Sequence, residues 1–385
     1  MTNTRPLYLD CNATTPLDPR VREVMLHYFD VEYGNAGSRT HEYGSRAKQA
    51  VQKAREQVAA LVRCESDEVV FTSGATESNN LAILGLAKHG EQTGRKHVVT
   101  TQIEHKAVLE PADELERRGF EVTRVPPTPG GWVEPSAILA ALRPDTLLVS
   151  VMHANNETGV IQPINEILVG LKDHPAFFHT DAAQTFGKII EPLQNPRIDL
   201  ISISGHKVYG PKGIGALITR RRGYDRIPLT PLMFGGGQER GLRPGTQPVP
   251  LIVALGLAAE LAGKEWKKRA EQCETFRKEL LAAFAPFKPV FNGDPDRTMP
   301  HVVNFSIPGI DSEALILALK HDIAISNGSA CTSASYKPSH VLEAMGILAD
   351  MISAAVRLSW SPQHIQMANP SLFENLTKQL NCLRA

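Results

Sequence analysis

Five short stretches put polar and ionisable side chains where an apolar run breaks off. "FTSGATES" leaves its run through Gly74, and Ala75 and Thr76 open a helical pattern. "TTQIEHKAVL" sets His105 just past the next run, and "VMHANNETG" does the same for His153, Asn155 and Asn156. "FFHTDAAQT" leaves Asp181 at a run's end, with Gln184 one helical turn further. "ISISGHKVYGPKG" follows its run with Ser204, Gly205, His206 and Lys207. A glycine turn that opens a helix directs free backbone N–H groups and the positive helix end at one point, which makes a cradle for phosphate or carboxylate. Each stretch also has a plain structural reading: an ordinary strand–helix turn, a packing histidine, a helix-capping Asp181, a solvated Lys207. Five breaks carrying such groups together read better as one shared site. A phosphate cradle, a carboxylate, a histidine able to stack on a ring and a lysine are what pyridoxal phosphate requires, the lysine for its Schiff base and the acid for its pyridinium nitrogen. A dinucleotide site is disfavoured, because no G-x-G-x-x-G with an acid about 20 residues on follows the first strand pattern.

A sixth stretch raises a different chemistry. "ISNGSACTSAS" (325–335) holds Cys331 in a run of Ser, Ala, Gly and Thr, between a strand pattern and a "KPSH" turn. A free cysteine is ordinarily a small buried hydrophobe, a role that suits Cys11, Cys64, Cys273 and Cys382. Cys331, in pliable polar company, fits a mobile nucleophile instead.

The elements that must carry these residues follow from periodicity. Residues 46–62 place Ala47, Ala50, Val51, Ala54, Val58 and Leu61 on one stripe, an amphipathic helix. After it, the strand patterns "EVVFTS", "KHVVTT", "FEVTRV", "TLLVSVM", "AFFHTD", "DLISIS" and "GALIT" alternate with helical ones. That alternation predicts an α/β fold with a mostly parallel sheet between helices, and ligands of such sheets bind beyond the carboxyl ends of the strands. From about residue 261 a long charged helix leads into "HVVNFSI", "SEALILALK", "IAIS" and "AAVRLSW". The expected division is a large domain over 17–260 and a smaller α+β domain from 1–16 and 261–385.

Bulk composition narrows the class. The chain has 385 residues, 42% of them apolar, enough for about two domains. Lys+Arg and Asp+Glu balance at 41 each, which argues against direct nucleic-acid contact. No stretch approaches the roughly 18 apolar residues of a membrane helix, and the start lacks a signal peptide's apolar core. Cysteines that are odd in number, widely spaced and without a C-x-x-C pair make neither a disulfide framework nor a metal site. A cytoplasmic enzyme is expected.

Together, "YLDCNATTP", "FTSGATESNN", "EHKAVL", "HANNETG", "HTDAAQTFGK", "SGHKVYGPKGIGAL", "RPGTQPVP" and "GSACTS" resemble, in order and spacing, the NifS/IscS-like group I cysteine desulfurases. These are fold-type-I pyridoxal-phosphate enzymes of the class V aminotransferase superfamily, and the resemblance covers nearly the whole chain. It implies that Lys207 carries the cofactor, Asp181 faces the pyridine nitrogen, Gln184 donates to the ring hydroxyl and His105 stacks on the ring. It further implies phosphate ligands at Ala75, Thr76, Ser204 and His206, with Gly205 also at the cofactor. Thr246 would be a phosphate ligand supplied by the other subunit of a homodimer. Asn35, Asn156 and Arg357 would bind substrate, with Asn156 also touching the cofactor. L-cysteine would become L-alanine, its sulfur passing to Cys331 as a persulfide and then to an acceptor protein, with His105 handling a proton. The acceptors expected of such relatives serve iron–sulfur cluster assembly, tRNA thiolation or DNA phosphorothioation. The sequence departs from the family's usual residues at Ala36, Asn327 and Ser361. A selenocysteine lyase or aminotransferase on the same fold is the alternative, and a non-catalytic sulfur-relay subunit is the alternative of another class.

Overall fold

A computed structural model describes residues 5–327 and 338–365 of the chain. After a two-residue strand β1 (Leu7–Tyr8), the chain lays down β2 (Val69–Thr72), β3 (His97–Thr101), β4 (Glu121–Val125), β5 (Thr146–Ser150), β6 (Phe177–Asp181), β7 (Leu200–Ser204) and β8 (Gly215–Thr219). These seven form one sheet in the order β2-β8-β7-β6-β5-β3-β4. All seven sequence patterns became strands. Only β8 departs from the common direction, pairing antiparallel with both β2 and β7. β5, β6 and β7 are buried along their whole length, as a sheet covered on both faces requires.

Helices α1 (Pro19–Asp30), α2 (Glu42–Val62), α3 (Ala75–Leu84), α4 (Ala87–Thr93), α5 (Lys106–Arg117), α6 (Pro135–Ala140), α7 (Ile164–Gly170) and α8 (Val249–Phe284) accompany the sheet. The stripe expected on α2 is buried in full. α2 lies close against α8: a Cβ added to Gly256 of α8 would come within 2.7 Å of Ala54 Cβ, so only glycine admits that approach.

α8 runs 36 residues without a break and changes partners on the way. Val249 to Ala262 bury into the core around α2 and the seven-stranded sheet. Cys273, Phe276, Leu280 and Phe284 bury into a second core with Leu7, Leu9, Phe305, Leu358 and Trp360. That second core rests on β9 (Val290–Phe291), β10 (Val302–Ser306) and β12 (Ala355–Ser359), paired antiparallel in the order β12-β10-β9. β11 (Ile323–Ala324) pairs parallel with β1. Residues 7 and 8 are thereby joined to the second core's part of the chain.

Candidate active site

The first wall of the site is the turn between β2 and α3. Gly74 occupies the N-cap with φ 155°, a region that favours glycine. The Ser73 N–H donates to Glu77 Oε2 at 2.7 Å, which holds the turn. A Cβ placed on Gly74 would sit 3.9 Å from Ser204 Oγ, so the α3 N-terminus and the end of β7 face the same small space. His105 caps the next helix, α5, its Nδ1 accepting from the Ala107 N–H at 3.0 Å. Thr76 and His105 line one cavity of about 310 Å³ together with Asn80 and Glu110.

The second wall comes from the ends of β6 and β7. Asp181 is buried, its Oδ2 accepting from Asn79 Nδ2 at 2.6 Å and its Oδ1 from the Ala183 N–H at 2.9 Å. Gln184 donates to the Asn12 carbonyl at 3.0 Å, while its buried Oε1 has no partner among the described residues. Lys207 donates from Nζ to the Asn12 carbonyl and, at 2.9 Å, to the Ala13 carbonyl. His206 meets Thr14 Oγ1 at 3.2 Å. Burial, and then the nearby Lys207 and Lys212 charges, push its imidazole down to about 4, so it is neutral near pH 7. The "CNATT" segment thus closes over the "GHK" segment.

Arg357 and Asn156 meet at the seam between the two cores. Arg357 Nη1 donates to the Asn156 carbonyl at 2.9 Å and Nη2 to Asp10 Oδ1 at 2.6 Å. Its buried Nε has no partner among the described residues. Asn12 Nδ2 reaches the same Asn156 carbonyl at 3.1 Å. The predicted nucleophile Cys331 lies outside the described residues, but both chain segments leading to it end here. Ser326 donates to Asp10 Oδ1 at 3.2 Å and pairs with the Arg357 backbone. Ser339 donates to Glu157 Oε2 at 2.5 Å, next to Asn156.

Two expected site residues lie at the surface. Asn35 is exposed, with Oδ1 accepting from the Gly37 N–H at 2.8 Å, and Thr246 is exposed on the loop before α8. Cys11, Cys64 and Cys273 behave as packing thiols: burial pushes each up to about 12, which disfavours the thiolate that a nucleophile needs. Of the departures, Ser361 is buried 3.1 Å from His364 Nδ1, which also meets Cys11 Sγ at 3.4 Å.

Several residues were not foreseen. Asn79, one turn into α3, fixes Asp181; Asn12 gathers Lys207, Gln184 and Asn156; Asp10 holds Arg357. Glu104, directly before His105, is fully buried, and burial pushes its carboxyl up to about 8 despite bonds from the Met152 N–H and Thr101 Oγ1. The one signal in the sequence was its place directly before His105 in "TTQIEHKAVL".

The model of the aminotransferase class-V family matches residues 7–365, and the chain belongs to that family. The cysteine desulfurase IscS of Anaeromyxobacter dehalogenans is 49% identical over 354 residues, 91% of this chain and 87% of that protein. The crystal structure of DndA from Streptomyces lividans is 50% identical, with a TM-score of 0.81 over 91% of this chain and 98% of DndA. SspA, solved in complex with cysteine, is 39% identical with a TM-score of 0.82 over 92% and 99% of the two chains. Within the family this chain is a cysteine desulfurase of the NifS/IscS-like kind, a transferase of the fold-type-I α/β architecture.

Proposed function

We propose that the Asp181–Lys207 end of the sheet holds pyridoxal phosphate and desulfurates L-cysteine onto Cys331. The observation that carries this reading is the convergence of three unlike groups at adjacent strand ends. They are the α3 N-terminus facing Ser204, the buried Asp181 carboxylate braced by Asn79, and the Lys207 amine resting on two carbonyls. The residues fit the cofactor. Ala75, Thr76, Ser204, Gly205 and His206 would take its phosphate, a helix N-terminus being suited to an anion. His105 would lie on the ring, Asp181 would meet the ring nitrogen, and Gln184 and Asn156 would meet ring substituents. When bound, the cofactor supplies an electron sink that makes the substrate Cα–H acidic.

The protein's own groups then divide the work. Asp181 holds a proton at the ring nitrogen. Lys207 Nζ would take the substrate's Cα proton as the general base and hold it for return. Arg357 Nε and Nη groups anchor the substrate carboxylate, and Asp10 fixes the guanidinium plane so that it meets the carboxylate squarely. His105 relays the proton of the substrate thiol. The Cys331 thiolate attacks the substrate sulfur; an S–S bond forms, the C–S bond breaks, and the carbon keeps the electron pair and is protonated to alanine. Ser326 and Ser339 bracket the Cys331 segment beside Arg357, which supports delivery of the thiol to the substrate. The persulfide passes to an acceptor protein. We further read the enzyme as a homodimer in which Thr246 serves the second copy's phosphate, a reading supported by the exposure of Thr246 and of the large apolar side chains Leu232, Met233 and Phe234.

Borohydride trapping tests the cofactor assignment. Reduced wild-type protein should carry the cofactor covalently on the Lys207 peptide, and Lys207→Ala should carry none. A trapped cofactor on another lysine would contradict the site.

A further inference from the structure

The segment before α8 stores backbone strain that the reaction as described does not explain. Glu239 (φ 48°, ψ 42°) and Arg240 (φ 57°, ψ 30°) are consecutive left-handed residues that are not glycine, and Gly241 continues the run at φ 79°. Such residues persist only where their surroundings over-determine them, and they cluster at functional positions. Here the determinants are explicit. Arg55, on α2, grips Glu239 in a two-pronged pair at 2.7 Å on both prongs, with side chains only 10% and 2% exposed. The same carboxylate accepts from the Phe71 N–H at 2.9 Å and from Gln247 Nε2 at 2.6 Å. Arg55 in turn donates to the Val69 carbonyl and lies 4.6 Å over the Phe71 ring. Burial pushes the Glu239 carboxyl up, but Arg55's bonds and charge outweigh it and hold the group below its ordinary value.

A second tie fastens the far side of the segment. Arg243 donates from Nε to Glu77 Oε1 at 3.0 Å, and Glu77 Oε2 is the acceptor for the Ser73 N–H. Glu77 therefore joins the segment to the turn that opens α3. The Gln238 side chain accepts from the Gly245 N–H at 3.0 Å and folds the segment on itself. The cavity left between segment and strand, lined by Phe71, Thr72, Glu239, Arg243 and Gly245, is about 20 Å³, room for about one water. Residues 238–247 are thus a strap seated on β2 and the α3 turn, and Thr246 rides on it.

We propose that the Arg55–Glu239 and Arg243–Glu77 pairs are positioning residues that clamp this strap, so that Thr246 is held at a fixed height over the cradle of a second copy. This rests on the cofactor and homodimer readings given above. It explains why two non-glycine residues are kept left-handed: the Arg55–Glu239 pair needs that backbone path, and the path sets where Thr246 emerges. It also makes each copy's cradle turn, through Glu77, a support for the other copy's phosphate contact.

The test compares binding of pyridoxal 5'-phosphate with that of unphosphorylated pyridoxal, after removal and return of the cofactor on the full chain. Glu239→Gln keeps the shape and removes the charge that Arg55 grips; Arg243→Ala cuts the second tie and stands in if the first variant does not fold. Both should weaken pyridoxal 5'-phosphate tenfold or more and change pyridoxal affinity less than twofold, because the strap acts only through the phosphate. Equal weakening of both ligands, or no change in either, overturns the clamp. Thr246→Ala separates the two readings. If it alone loses phosphate selectivity, the clamp falls and the trans contact stands. If it changes nothing, the trans contact falls and takes the clamp with it.

Discussion

Glu104→Gln isolates the most unusual group near the site. The acid is fully buried, its Oε1 accepts from the Met152 N–H at 2.8 Å and Thr101 Oγ1 at 2.9 Å, and its Oε2 has no partner among the described residues. Burial lifts the carboxyl from 4.5 to about 8, with the Asp181 charge adding to the rise. Below pH 4.5 folded and unfolded chains both hold the proton. As pH rises the unfolded chain ionises first, so this group's contribution to stability falls by about 1.4 kcal/mol per pH unit until the folded value is reached. The whole interval is worth about 5 kcal/mol. Glutamine does not titrate, and it keeps an oxygen for both donors. Measured by urea unfolding, the stability of Glu104→Gln relative to wild type should therefore rise by about 3 kcal/mol between pH 5.5 and 7.5. All other titrating groups are common to both proteins and cancel in the difference. Parallel pH profiles would refute the reasoning, since they would mean that Glu104 is ionised in the folded chain. The functional corollary is that a neutral Glu104 spares Asp181 a second negative charge close by.

Two further substitutions follow from the site. Asp181→Ala should retain cofactor, still held by the cradle and Lys207, but lower alanine production at least a hundredfold, the order of a lost acid–base contribution; near-normal turnover would reduce Asp181 to a turn cap. Arg357→Ala should raise KM for L-cysteine about tenfold to a hundredfold, the range of a charge-assisted bond lost at about 1.5–3 kcal/mol, in steady-state assays of alanine; an unchanged KM would remove the carboxylate anchor.

Much of this architecture was readable before any coordinates. The seven strands of the large sheet and the buried stripe of α2 follow from side-chain period alone, since burial on one face or both leaves a direct mark on composition. The strand ends are legible because each apolar run breaks off into polar residues, and the structure buries Asp181 at one such break. The reversed direction of β8 was not readable: a buried strand carries the same residues whichever way it runs. The 36-residue α8 likewise crosses the division expected at 260/261, because a helix can change packing partners along its length without breaking. Asn12, Asn79 and Asp10 were passed over for another reason. Their work is done on Lys207, Asp181 and Arg357 across long separations in sequence, and an asparagine's local neighbours do not announce which distant group it will brace. Asn35 and Thr246 rest on the family pattern alone, and both are exposed.

The central claim is that Cys331, and no other cysteine, receives the sulfur. Wild-type protein given L-cysteine, alkylated and digested, should show one added sulfur on the Cys331 peptide by mass spectrometry. Cys331→Ser should fold, bind cofactor and show none, because a hydroxyl is un-ionised near neutral pH and makes a far weaker sulfur acceptor. Sulfur on Cys11, Cys64, Cys273 or Cys382, or alanine and sulfide from Cys331→Ser at the wild-type rate, would contradict the account.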